Sequence, residues 1–239
     1  MCGRYSVIID KDAVSRTFKA EPLLGFRPHY NATPGQTLPV IASHNPAQVQ
    51  LFRWGFIPAW AKDESTGYKM INARADGIAE KASFKKAVQS QQCLVLANSF
   101  FEWRQNGADK NSISQKGKTP YLIRLASQPL FAMAGIWNRW VNHATGEEIA
   151  TFAIITTEAN ELMQPIHDRM PVILDNENAL RWIDPAVPLA QKLAMLKPYD
   201  ATGMEAFEVG KEVNKTIHNY PQLLEPTGDV LRLGAGAGN

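Results

Sequence analysis

The sequence predicts one α+β domain with a mixed or antiparallel β-sheet core of barrel-like form, flanked by short helices. Apolar runs rich in β-branched and aromatic residues follow one another through short loops, and this pattern favours hairpins over βαβ units. The chain has 239 residues, of which 45% are hydrophobic and 20% charged, a balance typical of a globular protein. We therefore expect a single domain over residues 1–233 and a disordered Gly/Ala tail over 234–239.

The predicted strands share β-branched or aromatic residues between turn signals, and they cover residues 4–9, 37–43, 49–56, 93–103, 120–126, 130–137, 151–157 and 170–174. The predicted helices share apolar residues three or four positions apart, and they cover residues 11–20, 77–89, 160–166, 176–183 and 188–197. Asp175 and Asn176 are candidate caps for the fourth helix. The polar stretch 105–120 is expected to be a long exposed loop inside a hairpin.

Composition and motifs exclude several classes of function. The net charge of +2 gives no overall basic field, so any nucleic-acid surface must be local. No apolar run approaches the roughly 18 residues of a membrane span, and the N-terminus has no signal-peptide core, so we expect a cytoplasmic protein with Cys2 and Cys93 reduced. The chain lacks GxGxxG, P-loop and HExxH motifs, and its histidines are scattered; we therefore expect no metal and no cofactor.

The chain begins MCGRYS, with a small residue after the initiator Met. Removal of Met1 would leave Cys2 with a free α-amine beside its thiol. An α-amine titrates near roughly 7.7–8.0 and a thiol near about 8.5, so neutral amine is available at neutral pH. A small buried cysteine without chemistry is the alternative interpretation, and it is favoured for a lone Cys.

Polar residues also stand within apolar surroundings in three more segments, INARAD (71–76), SFFEWR (99–104) and IHDRMPVIL (166–174). Asn72 and Arg74 could instead close a turn before the predicted helix. The strand pattern alone favours a solvent-facing Glu102. His167 alone is most simply a loop histidine. No segment by itself requires a function.

Taken together and in order, the motifs resemble the SRAP family, the SOS-response-associated peptidase-like proteins that process abasic sites in DNA. They are MCGRY, YNATPGQ (30–36), WGFIPAW (54–60), INARAD, FFEWR and HDRMPVIL, and the match extends to VGKEVN (209–214). Six motifs in order are far more specific than any one of them. Asp76 departs from the glutamate of the family pattern, and the 105–120 loop is longer than the usual hairpin.

The resemblance implies that the target is the ring-opened aldehyde of an abasic site in single-stranded DNA. The Cys2 amine would form a Schiff base with it and the thiol would close a thiazolidine, giving a DNA–protein crosslink. Lyase-like chemistry and peptidase-like removal of Met1 are implied as well. Glu102, with a pKa raised by its aromatic neighbours, would serve the Schiff-base steps. His167 would serve ring opening and reversal, and Asn72 would hold the sugar hydroxyl.

The resemblance also implies the contacts with DNA. Arg4, Arg74 and Arg169 would clamp phosphates, and Arg4 would lower the pKa values of the Cys2 amine and thiol. Trp60 and Trp103 are candidate platforms for stacked bases. The other tryptophans, for which we expect core packing, are Trp54, Trp137, Trp140 and Trp182.

Pro34 would block the path of a complementary strand. We therefore expect single-stranded DNA with abasic sites as the partner, with no membrane and no obligate protein partner. Two other classes of function remain open at this stage. One is an N-terminal-nucleophile amidohydrolase or glutaminase, which would use the Cys2 thiolate. The other is a non-covalent single-stranded-DNA-binding module that uses only arginines and aromatic residues.

Overall fold

The computed structural model describes residues 2–105, 117–142 and 144–234. The strands are β1 (Tyr5–Val7), β2 (His29–Ala32), β3 (Thr37–Ala42), β4 (Asn45–Trp54), β5 (Asn72–Arg74), β6 (Gln92–Ala97), β7 (Ser99–Gln105), β8 (Lys118–Leu125), β9 (Phe131–Val141), β10 (Glu148–Glu158), β11 (Arg169–Pro171), β12 (Ile173–Leu174), β13 (Met204–Val209) and β14 (Pro226–Leu231). The α-helices are α1 (Lys11–Phe18), α2 (Lys85–Ser90), α3 (Asn176–Ile183) and α4 (Leu189–Ala194). Short 3₁₀ helices cover Glu64–Lys69, Ala201–Gly203, Lys211–Asn214 and Pro221–Leu224.

Five strands close into a barrel. Strand β3 pairs antiparallel with β4 and β6, β6 pairs with β9, and β9 pairs with β10. A parallel pairing between β10 and β4 closes the ring. Strands β5 and β11 extend it beside β10, and β12 extends it beside β9. The prediction of a mixed, barrel-like core with short helices is confirmed.

A close approach of β6 and β9 shapes the barrel interior. Every residue of β6 is buried, and the strand is paired along both edges. A Cβ at Gly135 of β9 would lie 2.8 Å from the Cys93 sulfur and 2.9 Å from a methyl of Val95. Only glycine fits there without moving β6, so this residue sets the packing between the two strands.

A second sheet packs on the barrel, with the antiparallel order β14-β13-β8-β7-β1-β2. One of its faces joins the main core through Tyr5, Phe100 and Ile123. The opposite face carries a smaller apolar cluster that includes Phe101 and Leu122. The central strand β7 is therefore covered on both sides.

The structure corrects several predicted elements. The run 93–103 is two strands and not one, because the Asn98 side chain accepts a hydrogen bond from the Ile8 N–H and donates one to the Pro129 carbonyl at the point where the chain passes from the barrel to the sheet. Residues 160–166 form turns, and the helix predicted over 77–89 is only α2.

Other predicted features fare better. Helix α3 has the predicted bounds, with the Asp175 side chain accepting from the Asn178 N–H as its cap. Both cysteines are buried and free, and the four tryptophans assigned to packing are buried. No helix within the described ranges is long and apolar enough to cross a membrane.

Two predicted segments fall largely outside the described ranges. Strands β7 and β8 pair up to Gln105 and Lys118, so the predicted hairpin is present, whereas residues 106–116 of its loop lie outside the described residues. Residues 235–239 of the predicted tail lie outside them too. The domain boundary at residue 233 stays a prediction.

Candidate active site around Cys2

Strand register brings the N-terminus to Glu102. Strand β1 runs antiparallel to β7, with Tyr5 opposite Phe100. Residues that precede Tyr5 therefore run beside residues that follow Phe100. This pairing puts Cys2 and Glu102 at the same end of the β1–β7 pair, although they are 100 positions apart in the sequence.

Cys2 is fully buried. Burial raises the pKa of its thiol well above the ordinary value, and the negative charge of Glu102 raises it further. The net shift of the thiol pKa is therefore opposite to the direction expected from Arg4, because burial outweighs the lowering by the positive N-terminal amine. The thiol is protonated at neutral pH and lies 3.9 Å from the Arg4 carbonyl oxygen, a long contact for a weak donor.

Asn72 fixes the Cys2 backbone. Its side-chain N–H donates to the Cys2 carbonyl over 2.8 Å. The side-chain oxygen of Asn72 is buried and accepts no hydrogen bond from the described part of the chain. The alternative interpretation, in which Asn72 and Arg74 only close a turn, does not describe Asn72. This residue begins β5, which pairs parallel with β10, and the Trp54 indole N–H donates to the preceding Ile71 carbonyl over 2.9 Å.

Glu102 lies inside the protein, with 3% of its surface exposed. It stands opposite Tyr121 of β8, whose side chain belongs to the main core, so the solvent-facing orientation favoured by the strand pattern is wrong. Burial raises the pKa of the carboxyl above its ordinary value of 4.5. A carboxyl of this kind can act as an acid closer to neutral pH.

The two ring nitrogens of His167 face different groups: one faces Glu102, and the other faces two sequence neighbours. Its Nε2 lies 3.9 Å from a carboxylate oxygen of Glu102. Its Nδ1 accepts from the Arg169 backbone N–H over 3.0 Å, which in the neutral ring places the proton on Nε2. The Asp168 carboxylate lies 2.8 Å from the same Nδ1. Both ring nitrogens are therefore held close to polar groups of the protein.

Glu102 and His167 open onto a cleft of about 860 Å³. Arg4, Trp103 and Asn214 also line it. Among the described residues no three His, Cys, Asp or Glu side chains are placed to hold a metal ion. The cleft therefore presents an acid, an imidazole, a guanidinium and an indole to the same space.

Arg4 organises one wall of this cleft. Its Nη1 donates to the side-chain oxygen of Asn31 over 2.7 Å and to the Val213 carbonyl over 2.6 Å. The guanidinium also lies 5.6 Å from the ring centre of Trp103. The Trp103 N–H donates to the Asn214 side chain over 2.7 Å. Arg4 is thus partly committed to the protein.

Arg169 forms an ion pair with a carboxylate of the same chain. Its guanidinium donates to Asp76 over 3.0 Å and to the Thr156 carbonyl over 2.7 Å, and 13% of its side chain is exposed. This pair gives Asp76 a role that the sequence left open. Arg74, at the end of β5, is exposed to solvent. Of the three predicted phosphate contacts, Arg74 is the most accessible.

Pro34, predicted to block a complementary strand, and Trp60, predicted to stack on a base, are not among the residues that line the cleft. Trp60 is 63% exposed, and Pro34 lies in the turn between β2 and β3. Tyr68, which the sequence analysis did not single out, is 62% exposed and packs on the Gly35 backbone, where a Cβ would be 3.1 Å from its ring. Nothing in the sequence around Tyr68 marks it, since only the fold brings it to the Pro34 turn.

Sequence reasoning also gave no role to Asn31, Asp168 or Asn214. Each lies inside a motif quoted above, so the motifs were the available signal. Their roles depend on contacts with distant residues, which no local pattern contains.

The fold and the cleft define a barrel-and-sheet protein with a buried cysteine near its N-terminus beside an acid–imidazole pair. The sequence model of the SOS response associated peptidase (SRAP) family matches residues 1–216. The chain belongs to the SRAP family.

Relatives cover nearly the whole chain. The abasic site processing protein YoqW of Bacillus subtilis (strain 168) is 42% identical over 94% of this chain and 99% of its own length. The abasic site processing protein HMCES of Gallus gallus is 31% identical over 84% of this chain and 67% of its own length. A solved structure of a Bacteroides thetaiotaomicron protein superposes with a TM-score of 0.82 at 32% identity, covering 94% of this chain and 99% of that one.

Proposed function

We propose that this chain processes abasic sites in single-stranded DNA by forming a covalent crosslink through Cys2 after Met1 is removed. Relatives named as abasic site processing proteins support this proposal. The observation that carries it is a chain of contacts from three separate parts of the sequence: Asn72 holds the Cys2 carbonyl, the charge of Glu102 acts on the Cys2 thiol, and His167 lies 3.9 Å from Glu102. A lone buried cysteine would need none of these neighbours.

The amine of Cys2 is the first nucleophile. Removal of Met1, by peptidase-like self-processing in this proposal, creates the amine on the residue that Asn72 positions. The amine attacks the sugar aldehyde carbon and forms a carbinolamine. Glu102, whose pKa is raised by burial, donates the proton with which the hydroxyl leaves as water. A Schiff base remains between the Cys2 nitrogen and the sugar carbon.

The thiol reacts second. Its sulfur bonds to the imine carbon and its proton passes to the imine nitrogen, which closes a thiazolidine without further loss of atoms. Burial raises the pKa of the Cys2 thiol in the chain that carries Met1. If the thiol stays buried after Met1 is removed, it stays protonated and is a poor first nucleophile, which supports this order. The same burial counts against the glutaminase alternative, which needs a thiolate at the start.

His167 and Asn72 handle the sugar. His167 relays the proton for opening the closed hemiacetal and for reversing the crosslink, since its Nε2 faces the carboxyl of Glu102. The buried side-chain oxygen of Asn72 accepts a hydrogen bond from a sugar hydroxyl. This contact would satisfy a polar atom that is otherwise costly to bury.

The DNA strand contacts an arginine and aromatic side chains. Arg74 contributes a phosphate contact, and Arg4 and Arg169 add to it if phosphate competes with their internal partners. Trp103 in the cleft and Trp60 outside it stack on bases. A duplex would have to unstack the lesion at a cost of a few kcal/mol, so unpaired DNA is favoured.

Crosslinking assays on abasic oligonucleotides test the proposal. Wild type should react much faster with a single strand than with a full duplex. Cys2→Ser keeps the amine and should give only a labile adduct, and Cys2→Ala should give no heat-stable one. Heat-stable adducts from Cys2→Ala, or equal rates on the two substrates at matched salt, would contradict the proposal.

A further inference from the structure

The motif VGKEVN runs into a surface segment, residues 214–217, which we name the ledge. Its backbone is fixed from inside by one buried side chain. The side-chain amide nitrogen of Asn31 donates to the carbonyls of Val213, Lys215 and His218 over 3.2, 3.2 and 3.0 Å. The Lys215 carbonyl inside the ledge and the carbonyls of Val213 and His218 that flank it are therefore tied to β2.

A second asparagine anchors the chain just after the ledge. The side-chain oxygen of Asn219 accepts from the Tyr30 N–H over 2.7 Å, and its amide donates to the Pro28 carbonyl over 3.2 Å. Because both sides of the ledge are fastened to the same strand region, its conformation is set before any partner binds.

On this fixed backbone stands Ile217, which is 86% exposed, the largest value among the exposed large apolar side chains of the described residues. Lys215 is exposed beside it. A single exposed apolar residue is common in proteins. Here it combines with a cation and a preorganised backbone, and this combination suits a ligand that has both an apolar face and a negative charge.

The ledge adjoins the cleft. Asn214, its first residue, lines the cleft and accepts the hydrogen bond from Trp103. Ile217 follows three residues later, within about 10 Å along the chain. A strand that leaves the cleft across Trp103 would meet the ledge next.

We propose that the ledge is a second contact site for single-stranded DNA, with Ile217 supporting the face of a base and Lys215 contacting a phosphate. This inference rests on the proposed function, which places the strand in the cleft. We assign the ligand as a nucleic acid for three reasons. The apolar contact is a single side chain, a lysine lies beside it, and the segment adjoins the cleft.

Equilibrium binding of a fluorescent single-stranded oligonucleotide without an abasic site tests the ledge apart from the chemistry. Ile217→Ser should weaken binding about threefold to tenfold, the loss expected for removing a partly buried aliphatic contact. Ile217→Trp should strengthen binding, because an indole stacks better on a base. Lys215→Gln should weaken binding and lower the slope of log affinity against log salt by about 1.

Val141→Ser provides the matched control, since Val141 is another exposed β-branched residue, 38% exposed. Val141 ends β9, six positions after Gly135, which pairs with Ile154. Ile154 also pairs with Asn72 of β5, so Val141 lies about 20 Å along the strand from the site. Binding by this variant should match wild type.

Crosslinking of an abasic oligonucleotide, measured on the same samples, separates the two claims. If wild type crosslinks and both Ile217 variants bind like wild type, the ledge is refuted and the proposed function stands. If wild type neither binds nor crosslinks, the proposed function fails and the ledge fails with it. Opposite shifts for Ile217→Ser and Ile217→Trp, with Val141→Ser unchanged, would support the ledge.

Discussion

Two glutamates of the second sheet are almost equally buried, yet their pKa values are shifted in opposite directions. Glu102 is 3% exposed and Glu205 is 2% exposed. Burial raises the pKa of Glu102. Burial also opposes ionisation of Glu205, but Arg232 and Arg124, at 2.5 and 2.6 Å from its two oxygens, outweigh it and lower the pKa.

The direction of the pKa shift of a buried carboxyl is therefore determined by its charged and hydrogen-bonding partners, and not by the depth of its burial. The guanidinium groups of Arg124 and Arg232 keep Glu205 ionised. The ion pair with Arg232 also holds the chain just after β14 against the sheet. The neighbours of Glu102 include an imidazole and a thiol, which also exchange protons. One glutamate is therefore suited to holding structure, and the other to transferring protons.

Glu102→Gln should have the largest effect on chemistry. The amide is isosteric but cannot donate the proton for loss of water, so crosslinking to abasic single strands should slow by about 10²–10⁴-fold. Single-turnover gel assays measure this rate. Glu205→Gln removes a charge of the same kind elsewhere in the sheet and should crosslink at the wild-type rate. Equal crosslinking rates for Glu102→Gln and Glu205→Gln would contradict the different roles assigned to the two glutamates.

His167→Ala should affect reversal more than formation. Without the imidazole no group relays the proton that reopens the thiazolidine, so release of DNA should slow by about 10²-fold. The purified adduct is incubated with a trap for the free protein, and released DNA is followed over time. Release at the wild-type rate would remove His167 from the proposed role.

The effects of the two substitutions on folding stability should be in the reverse order, with the larger loss for Glu205→Gln. Glu205→Gln loses charge-assisted hydrogen bonds and should lower the free energy of unfolding by about 1–3 kcal/mol, a moderate value because Arg124 and Arg232 can turn to solvent. Glu102→Gln removes a poorly solvated charge and should leave stability unchanged or raised. Urea unfolding at neutral pH measures both, and a larger loss for Glu102→Gln would contradict the comparison.

The smallest expected effect is a pair of opposite pH dependences. The raised pKa of Glu102 means that the folded state binds its proton more tightly, so this residue costs stability as pH rises above 4.5, its ordinary value. The lowered pKa of Glu205 gives stability that is present above 4.5 and is lost as pH falls towards the folded value.

Urea unfolding from about pH 3.5 to about pH 8 would resolve the two dependences. The advantage of Glu102→Gln over wild type should grow with rising pH. The deficit of Glu205→Gln should shrink in acid. Differences that do not vary with pH would show that neither carboxyl has a shifted pKa.

The sequence predicts the barrel-like core because its long strands are apolar, but it does not predict β5. That strand has three residues and exists only because β10 pairs with it. The predicted solvent-facing orientation of Glu102 is wrong for another reason. Strand β7 is covered on both faces, so the rule that one face of an antiparallel strand meets water does not apply.

The candidate site residues were identified through their motifs, whereas their environments were not. Sequence cannot tell that Arg169 is paired with Asp76, or that Arg4 donates to Asn31. Such pairings join positions 93 and 27 residues apart. They determine which arginines stay available to phosphate, so this part of the site requires the structure.

The central claim is that Cys2 supplies both the nitrogen and the sulfur of the crosslink. Intact-mass measurement of the protein with an abasic single-stranded oligonucleotide tests it most directly. We predict a protein without Met1, and a heat-resistant adduct whose mass is the sum of that protein and the oligonucleotide less one water. A protein that keeps Met1 and still gives the heat-resistant adduct, or a Met1-free protein that gives none, would contradict the account.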